Sequence, residues 1–575
     1  MISNARILGM LAELAHLTSL DEGSPQSFKV RAYENAIHGI EGYPGNVAGL
    51  DQKELVAIKG VGGSIATRIR EYIDTGTVAK LDELRIKYPA PLVELLKIPG
   101  LGPKTLKTLR AELNIQNLDD LKSAIEREAL RDLPGLGKTT EEKIAKSIER
   151  LGMHGKDRRT PIAEALPLAE GLAAELETVP GVAAVTWCGS LRRFAETIGD
   201  VDLVVSSVAA DEVMKAVVGH PMAKEVVGSG GTKTSVLTHA GMQVDVRVVT
   251  ANQYGAALVY FTGSKSHNVA LRQRAIDRGW LLNEYGLFDG EDLIASTTEE
   301  SVYRALDLPF IPPPLRENSG EIEAAADGRL PDLVTLDRIK GDLHFHSDRS
   351  GDGRSTLEEM VAAAAARGYE YLAITEHGED LAINGSSREE MRAHQRRIGS
   401  VQEAHPAMRL LYGCELNIGA DGNLDYDRDF RLEYDWCVAS VHSHFDLSAD
   451  QQTQRLLKAM ADPAVNAIGH LTGRYIGRRP GIEINLDAVL EGLSISGVAL
   501  EVNGALDRLD ASSDVIRRAV AAGVKLVIST DSHHTSDLKR MAYGVSHAQR
   551  GWAAAGDVAN TMPQVDFIDF VSSRR

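Results

Sequence analysis

Hydrophobic and polar residues follow three different patterns along the chain. Residues 1–150 have the spacing of short amphipathic helices, residues 161–309 alternate between helix and strand patterns, and the chain after residue 336 repeats a short apolar strand followed by a helix. No run of about 18 or more apolar residues occurs, so the sequence predicts no membrane-spanning helix. The length of 575 residues is enough for about three or four domains.

The patterns predict four segments. They are a helical region over 1–150, a core of helices and strands over 151–311, a linker over 312–335 and a strand–helix domain over 336–575. The linker is rich in Pro, Glu and Ala, and prolines stiffen and extend such a segment. Cys188, Cys414 and Cys437 are too few for a disulfide framework. We therefore expect reduced thiols in a soluble intracellular protein.

A short glycine phrase occurs three times in the helical region. It reads Gly60-Val61-Gly62, Gly100-Leu101-Gly102 and Gly135-Leu136-Gly137, each followed by a helical run rich in Lys, Arg and small residues. Such a turn exposes backbone N–H groups beside the positive end of a helix, where a phosphate binds. One copy would suit a C-cap between packed helices equally well, but three copies favour contacts to a nucleic-acid backbone. The phrase resembles the helix-hairpin-helix motifs of DNA-repair proteins.

The net charge of −18 argues at first against a nucleic-acid partner. The balance of Lys and Arg against Asp and Glu, however, is zero over 1–150, −8 over 151–330 and −10 over 331–575. The acidity therefore lies where carboxylates could be metal ligands. Histidine is skewed in the same direction, because 11 of the 17 histidines follow residue 330.

Three aspartates of the core belong to two predicted strands. Asp200 and Asp202 are two residues apart and share a face, and Asp245 lies on a second strand. An isolated pair would suit a solvated strand face, but the apolar neighbours indicate a mostly buried strand, where unpaired acids are costly. Two Mg²⁺ ions about 3.5–4 Å apart would relieve the repulsion and activate a phosphate transfer. The preceding Gly189-Ser190 and Arg193 are predicted to contact a triphosphate.

Gly-Ser followed by Asp-x-Asp resembles the nucleotidyltransferase superfamily. The phrase Tyr260-Phe261-Thr262-Gly263-Ser264, with Asn268 and Arg272 after it, resembles the family X DNA polymerases, and the resemblance covers about residues 1–310. Tyr260 and Phe261 alone could be core aromatics, but that explanation does not fit the whole phrase. The resemblance implies a palm with a fingers-like subdomain and Mg²⁺ or Mn²⁺ at the three aspartates. It also implies that the Tyr-Phe-Thr-Gly turn packs on the nucleotide's sugar, that Asn268 meets the base and that Arg272 meets the template strand.

One position departs from the family. Its lyase-active members carry a lysine on the first hairpin's helix that attacks an abasic sugar, and Arg68 stands at that place here. A guanidinium stays protonated and cannot form a Schiff base. We expect no lyase activity from Arg68, which leaves the nearby Lys59 as the alternative nucleophile.

Seven strand–helix units follow the predicted linker, which indicates a parallel barrel with its function at the carboxyl ends of the strands. His344 and His346 are two apart on one strand, so both imidazoles face the same way. A single histidine is more often a core or surface residue, and we assign that role to His394, His405 and His547 while leaving His444 and His534 open. Nine ligand-type residues lie at the strand ends or in the first loop: His344, His346, Asp352, His377, Glu415, His442, His470, Asp531 and His533. Nine ligands predict two or three divalent ions, Zn²⁺ and/or Mn²⁺.

The order of these residues resembles the PHP domain, the phosphoesterase module of bacterial polymerases and histidinol phosphatases, over about residues 336–570. The resemblance implies a distorted (β/α)7 barrel whose metal cluster cleaves phosphate esters. The family commonly has Ser-Asp-Gly after His-x-His, whereas this chain reads Ser350-Gly351-Asp352-Gly353. Arg474, Arg478 and Arg479 follow His470 and could guide a phosphate backbone towards it.

We therefore interpret the chain as a multidomain α+β and α/β enzyme: a family X type DNA polymerase that fills short gaps in DNA repair, with a 3′→5′ exonuclease or 3′-end-processing phosphoesterase in its PHP domain. The expected substrates are gapped or nicked DNA primer-templates and deoxynucleoside triphosphates. We expect a monomer with no membrane partner, in the cytoplasm with the nucleoid. Two alternatives stay open: a nucleotidyltransferase fused to a small-molecule phosphatase, and a polymerase whose PHP domain is only structural.

Overall fold

The computed structural model describes residues 4–22, 27–41, 43, 45–98, 101–133, 136–151, 159–381 and 383–572. The helical head, residues 1–150, consists of helices joined by short turns. Its helices are α1 (Asn4–Glu22), α2 (Phe28–Glu41), α3 (Gln52–Ala57), α4 (Gly63–Thr75), α5 (Ala79–Lys87), α6 (Ala90–Val93), α7 (Pro103–Leu113), α8 (Leu118–Glu126) and α9 (Lys138–Leu151).

One apolar core runs through this head. It joins Leu11 and Leu14 of α1 to Leu81 of α5, Leu106 of α7 and Ile144 of α9, all of which are buried. The head is therefore packed as one unit, as a patterned set of amphipathic helices requires.

A five-stranded sheet forms the palm. Its elements and close neighbours are β1 (Thr160–Pro161), α10 (Ile162–Glu177), β2 (Val182–Trp187), α11 (Gly189–Arg192), β3 (Thr197–Ile198), β4 (Asp200–Ser207), α12 (Ala210–Val218), β5 (Ala223–Ser229), β6 (Lys233–Thr238) and β7 (Gln243–Val249). The strand order is β2-β4-β7-β6-β5, and β4 and β7 are its parallel neighbours. Helices α10 and α12 cover one face through Leu166, Val213 and Val217.

The subdomain after the palm contains three helices around a small antiparallel sheet. Its elements are α13 (Tyr254–Thr262), α14 (Lys265–Ile276), β8 (Leu281–Asn283), β9 (Gly286–Asp289), β10 (Asp292–Ala295) and α15 (Glu299–Ala305). The predicted Tyr-Phe-Thr-Gly turn is the last turn of α13, which ends because Gly263 has φ +68°.

The segment 312–335 connects the subdomain after the palm to the predicted barrel. It is not the extended spacer that its prolines suggest. It contains α16 (Glu321–Ala326), and Arg316 and Glu321 are fully buried. Arg316 Nη1 donates to Glu299 Oε1 at 2.7 Å, and its guanidinium lies over the rings of Tyr303 and Phe310. The segment packs because its charged residues find buried partners on the preceding subdomain, which composition alone does not reveal.

The remaining elements form the predicted barrel. They are β11 (Gly341–Phe345), α17 (Leu357–Ala365), β12 (Tyr371–His377), α18 (Arg388–Ala404), β13 (Arg409–Asn417), α19 (Arg428–Arg431), β14 (Trp436–Ser440), α20 (Ala449–Met460), β15 (Ala467–Gly469), α21 (Leu486–Ser496), β16 (Ala499–Asn503), α22 (Ser513–Ala521), β17 (Leu526–Ser529), α23 (Arg540–Arg550) and α24 (Gln564–Ser572). All seven strands are parallel and in sequence order.

Backbone hydrogen bonds beyond β17 bring the barrel close to closure. Asp531 N–H donates to His344 O at 2.9 Å, and His346 N–H donates to Ser532 O at 2.8 Å. At the other end, the ring of Phe567 on α24 stacks on Tyr371, the first residue of β12, with centroids 4.3 Å apart. The amino ends of the strands are thus filled with apolar side chains, which leaves the carboxyl ends for polar groups.

Together, these elements confirm the predicted fold class: a helical head, an α+β core and a seven-stranded parallel barrel. Among the helices of the described residues, none is long and apolar enough to cross a membrane.

The buried ion-pair network of the connecting segment generates a stability prediction. Glu299 pairs with Arg192 at 2.7 Å and with the fully buried Arg316 at 2.7 Å. Glu299→Ala leaves both cations without that partner and is expected to lower the free energy of unfolding by about 3–5 kcal/mol in a urea titration. Asp327→Ala, which removes an exposed pair with Arg329, is the matched control. If Glu299→Ala lowers the free energy of unfolding as little as the control does, the network does not stabilise the fold as predicted.

Candidate active sites

Three aspartates lie on the face of the two central palm strands. In the parallel register, Asp202 of β4 is the direct neighbour of Asp245 of β7, and Asp200 is the neighbour of Gln243. Because side chains two apart on a strand share a face, Asp200 lies on the face of Asp202 and Asp245. All three are partly buried. The strand pairing thus brings the predicted acids together from segments more than 40 residues apart.

Two strand residues and the Gly189-Ser190 turn approach these carboxylates. Gln243 Nε2 donates to Asp245 Oδ1 at 2.6 Å, and Lys233 Nζ lies 3.6 Å from Asp245 Oδ2. Gly189 has φ +61°, and a Cβ at this position would lie 2.6 Å from Asp202 Oδ2. Only glycine therefore allows the Gly189-Ser190 turn to come this close to the acid.

The Arg193 guanidinium is held between two other groups. Its Nη1 donates to the carbonyl oxygen of Thr262 at 2.6 Å, and its Nε donates to Glu317 Oε1 at 2.9 Å. Glu317 also binds Arg550 of α23, at 2.7 Å. The residue predicted as a phosphate clamp therefore links the palm turn, the end of α13 and the barrel. Ser190 lies beside it on α11, partly buried.

The predicted nucleotide contacts on α13 and α14 adjoin one another. Tyr260, Asn268, Arg272 and Asn283 line one small pocket. Asn268 Nδ2 donates to Tyr260 O at 2.7 Å, and its buried Oδ1 has no hydrogen-bond partner. Phe261 packs edge-on against Tyr260, with ring centroids 5.1 Å apart, and lies outside that pocket. The buried, unpaired oxygen of Asn268 is an acceptor available to a ligand.

The hairpin glycines divide into two kinds. Gly60 has φ +93°, and a Cβ there would collide with Asn35 O, so glycine is needed for the chain to turn. Gly62 and Gly102 are the N-caps of α4 and α7, are exposed, and have no capping side chain, so the first N–H groups of both helices have no side-chain cap. Gly137 is exposed and directly precedes α9, whereas Gly100 and Gly135 lie outside the described residues.

Arg68, which stands at the place of the family's lyase lysine, lies on α4. Its Nη1 donates to Ser64 Oγ at 3.0 Å and its guanidinium lies over the Tyr33 ring. Lys59, the alternative nucleophile, is almost fully exposed and lies 3.8 Å from Glu323 of α16.

The nine predicted ligands of the barrel converge at the carboxyl ends of the strands. We call them the histidine–acid cluster: His344, His346, Asp352, His377, Glu415, His442, His470, Asp531 and His533. Glu415 of β13 is its centre and is fully buried. Its two oxygens lie between 2.8 and 3.5 Å from nitrogens of five histidines: His344, His346, His377, His442 and His470.

Two further acids complete the cluster. Asp531 Oδ1 lies 3.8 Å from His344 Nε2 and 3.5 Å from His346 Nε2. Asp352 Oδ2 lies 3.5 Å from His377 Nε2 and 3.4 Å from His533 Nε2. Asp352, which follows the inserted Gly351, therefore reaches the cluster despite this departure from the family pattern.

The donor atoms of the cluster suit divalent metal ions. Three groups have ligand atoms within 4.8 Å of one another: His346 with His377 and His533, His344 with His346 and Asp531, and His377 with Glu415 and His442. Nε2 of His344 and of His346 are buried without a hydrogen-bond partner although they face carboxylates. Unpaired imidazole nitrogens beside carboxylates are the ligand set of Zn²⁺ and Mn²⁺. Among the described residues, no group with palm aspartates satisfies that spacing.

In part of the histidine–acid cluster, the electrostatic environment favours the protonation states that can bind a metal. Burial, with the nearby His377 and His533, lowers the pKa of His346 to about 4, so its imidazole is neutral at pH 7. Burial would raise the pKa of Glu415, but the surrounding histidines hold it well below its ordinary value, so the carboxylate is ionised. A neutral imidazole and a carboxylate are the forms that bind a metal.

Glu501 of β16 also contacts the cluster and was not among the predicted ligands. Its Oε1 lies 2.6 Å from His344 Nδ1, and its Oε2 accepts the backbone N–H of His470. An acid on Nδ1 fixes the tautomer and orientation of a histidine whose Nε2 faces a metal site. The place of Glu501 on a strand of the barrel, like that of the predicted Glu415, is the signal that could have indicated it.

The remaining barrel histidines divide between burial and the surface. His394 is buried with Nε2 3.1 Å from Glu376, and His547 is buried with Nε2 2.9 Å from Ala511 O. His444 is exposed, and His534 accepts a hydrogen bond from the N–H of Ser536 as the N-cap of a short helix. His405 is partly buried and is the C-cap of α18, and none of these five histidines belongs to the three ligand groups.

Arg474, expected to guide a phosphate backbone, instead joins the barrel to the palm. Its two terminal nitrogens bind both oxygens of Glu196 at 2.9 and 2.8 Å, and its Nε donates to Arg508 O at 2.9 Å. Arg479 lies over the rings of Phe445 and Tyr475, 4.0 and 4.8 Å from their centroids. Arg478 is exposed.

Four family models match consecutive parts of the chain. They are a helix-hairpin-helix domain at residues 2–78, a SAM-like helix-hairpin-helix tandem at 92–150, a DNA polymerase beta thumb at 257–317 and a PHP domain at 342–505. The subdomain predicted to be fingers-like is thus similar to a thumb. Together the matches define a class of protein in which a DNA polymerase core and a PHP domain share one chain.

Comparison with individual curated proteins gives the same assignment as the family models. The chain is 36% identical to the DNA polymerase/3'-5' exonuclease PolX of Bacillus subtilis over 571 residues, which cover 98% of both chains. Probable phosphatases from Aliivibrio fischeri and Clostridium acetobutylicum are 26% and 31% identical over 36% and 33% of this chain, and 82% and 78% of their own lengths. The chain belongs to the PolX family of family X DNA polymerases with a C-terminal PHP domain.

The contact between Glu501 and His344 generates a prediction about metal affinity. Glu501→Gln removes the charge on Nδ1 of His344 and is expected to weaken Mn²⁺ binding by about 10–100-fold. Equilibrium dialysis with metal analysis of the full chain measures this affinity. Glu483→Gln, at an exposed glutamate of the same barrel, is the matched control. Equal Mn²⁺ affinity in the two variants would rule out the role of Glu501.

Proposed function

We propose that this protein extends primer ends in short DNA gaps at the palm and removes nucleotides from 3′ ends at the barrel. The observation that carries the polymerase assignment is the register of β4 and β7, which puts Asp202 beside Asp245 with Asp200 on the same face. The observation that carries the nuclease assignment is the convergence of five histidines on Glu415.

At the palm, Asp200 and Asp202 would hold two divalent ions, Mg²⁺ or Mn²⁺, and Asp245 would be a further ligand. When bound, such ions lower the pKa of the attacking hydroxyl and stabilise the charge on the leaving phosphate. The residues of the chain fix the geometry: β4 and β7 are rigid, buried strands, and Gly189 lets the Ser190 turn bring its backbone N–H and hydroxyl to the triphosphate.

The nucleotide lies between this turn and the thumb-like subdomain. Hydrogen bonds to Thr262 and Glu317 use Nη1 and Nε of Arg193, so we assign its Nη2 to the triphosphate. Tyr260, Phe261 and Gly263 pack on the sugar, and the unpaired Oδ1 of Asn268 meets the base. Arg272 contacts the template strand. Deoxynucleoside triphosphates as substrates and a monomeric state are parts of the same proposal.

The helical head grips the DNA backbone through the helix ends that follow Gly62, Gly102 and Gly137. Gly60 allows the first of these turns, and Gly100 and Gly135 are assigned DNA contacts from the sequence. These contacts use backbone N–H groups and carry no sequence preference. The neutral charge balance of residues 1–150 does not oppose them, because the acidic excess lies in the two metal-binding parts.

In the barrel, the histidine–acid cluster holds two or three ions, which we propose to be Zn²⁺ or Mn²⁺. When bound, such ions generate a nucleophile from water at neutral pH and polarise a phosphate ester. The chain would supply imidazole nitrogens, the carboxylate of Glu415 and the orientation of His344 through Glu501. A 3′ end that reaches this site loses its terminal nucleotide.

A second candidate activity of the barrel is hydrolysis of phosphate monoesters. It is favoured by the similarity of about a third of the chain to the probable phosphatases. Release of inorganic phosphate from a 3′-phosphorylated DNA end and from a small phosphate monoester distinguishes end processing from a small-molecule phosphatase.

The two proposed sites predict that a variant of each site loses one activity and keeps the other. Asp202→Ala should abolish primer extension on a gapped DNA with Mg²⁺ or Mn²⁺ while 3′-end degradation continues, since the altered residue is in the palm. His344→Ala should do the reverse. Both variants are assayed on one gapped substrate and on a labelled single strand, so each is the control for the other. Extension by Asp202→Ala at the wild-type rate, or equal degradation by His344→Ala and wild type, would refute the corresponding assignment.

The proposed grip of the head predicts a change in salt dependence. Lys104 is exposed in the first turn of α7, two residues after Gly102. If it contacts a phosphate, Lys104→Ala reduces the slope of log affinity against log salt by about 1. DNA binding measured across a salt series gives this slope. Lys80→Ala, at a lysine paired with Glu83 on α5, should leave it unchanged, and equal slopes for the two variants would argue against the hairpin contact.

A further inference from the structure

Arg508 lies at the edge of the histidine–acid cluster. It is in the loop after β16, its side chain is 14% exposed, and its Nε is 3.6 Å from Asp531 Oδ2. The other oxygen of Asp531, Oδ1, faces His344 and His346. A single carboxylate therefore separates the guanidinium from the cluster.

The hydrogen-bonding capacity of this guanidinium is unused. In the part of the chain that the structure describes, its nitrogens donate no hydrogen bond, and the ion pair with Asp531 is its one acidic contact. A mostly buried arginine is ordinarily satisfied on several of its five N–H donors. Five donors in a planar fork match the oxygens of a phosphate.

The surrounding loops fix the position of Arg508. Its guanidinium lies 4.3 Å from the ring centroid of Tyr475. The guanidinium of Arg479 lies over the same ring. Ile476 N–H donates to Asp507 O at 2.7 Å, so the loops after β15 and β16 hold each other. The carbonyl oxygen of Arg508 accepts a hydrogen bond from Arg474 Nε. The cation is thus held in place before any substrate arrives, as a transition-state contact requires.

We propose that Arg508 binds the phosphate group that is cleaved at the histidine–acid cluster, and that Tyr475 is the positioning residue that holds it. The ligand class is a phosphodiester or phosphomonoester at a DNA 3′ end. This inference rests on the proposed function of the barrel and names the residue that holds the substrate there.

The test uses the full chain loaded with Mn²⁺ and inorganic phosphate as the probe. Calorimetric titration measures phosphate affinity, and metal analysis of the same samples measures bound Mn²⁺. Arg508→Ala is expected to keep wild-type Mn²⁺ content and to bind phosphate about tenfold or more weakly, since a charge-assisted bidentate contact is lost. Arg508→Lys keeps the charge without the fork and should lie between the two.

Control variants distinguish the loss of phosphate binding by Arg508 from a general effect of removing an arginine that lies over a ring. Arg392→Ala removes an arginine that also lies over a ring, that of Phe430, on the exposed face of α18, and should bind phosphate like wild type. Tyr475→Phe keeps the ring and should be unchanged, whereas Tyr475→Leu should weaken phosphate binding. In the DNA assay, Arg508→Ala should slow 3′-end degradation by about a hundredfold.

Two results would overturn the proposal. One is wild-type phosphate affinity in Arg508→Ala, and the other is loss of Mn²⁺ in parallel with phosphate, which would make Arg508 a partner of Asp531 only. If phosphate binding depends on Arg508 but no protein degrades DNA, the phosphate site stands and the proposed nuclease function fails.

Discussion

The structure depends on the need to neutralise carboxylates that parallel strand pairing brings together. Parallel strands end on one edge, so acids and histidines at their ends cannot avoid one another. Glu415 shows the cost most clearly, because it is fully buried and an isolated buried charge is strongly unfavourable. Five histidine nitrogens within 3.5 Å of its oxygens offset that cost. The histidines that stabilise the buried carboxylate of Glu415 also supply, together with it, the ligands of a cation-binding site.

Charge pairing also joins the two candidate sites. Arg474 of the barrel holds Glu196 of the palm with two hydrogen bonds, and its Nε binds the backbone of Arg508. Glu317 binds Arg193 of the palm turn and Arg550 of the barrel. The connecting segment is therefore part of the packed structure, and each site has an arginine held in place by contacts that reach the other domain.

Much of the fold follows from residues that are adjacent in sequence. The patterns of apolar residues predict short helices over residues 1–150 and seven parallel strands after residue 336, and the structure has both. The nine cluster residues were predictable because each ends a strand or follows one. Asp200 and Asp202 were predictable as a pair from their spacing, whereas the proximity of Asp245 depended on an assumed pairing of β4 and β7.

Contacts between distant segments could not be predicted in the same way. Arg474 is followed by two other arginines, and nothing in that run indicates that Glu196 is its partner. Arg316 and Glu321 lie in a segment whose prolines suggest an extended linker, yet both are buried by a subdomain that precedes them. Arg508 carries no motif, and its relation to Asp531 arises only when the loop after β16 folds over the barrel end.

We infer that these buried acids and histidines form the metal site of an enzyme. The most direct test is the number of divalent ions bound per chain after the purified protein is dialysed against Mn²⁺ and then against metal-free buffer. For wild type we expect about two or three ions, and for Glu415→Gln, which removes the charge at the centre of the cluster, we expect the loss of at least one. Wild-type protein without bound metal, or a Glu415→Gln variant with the wild-type number of ions, would contradict the account.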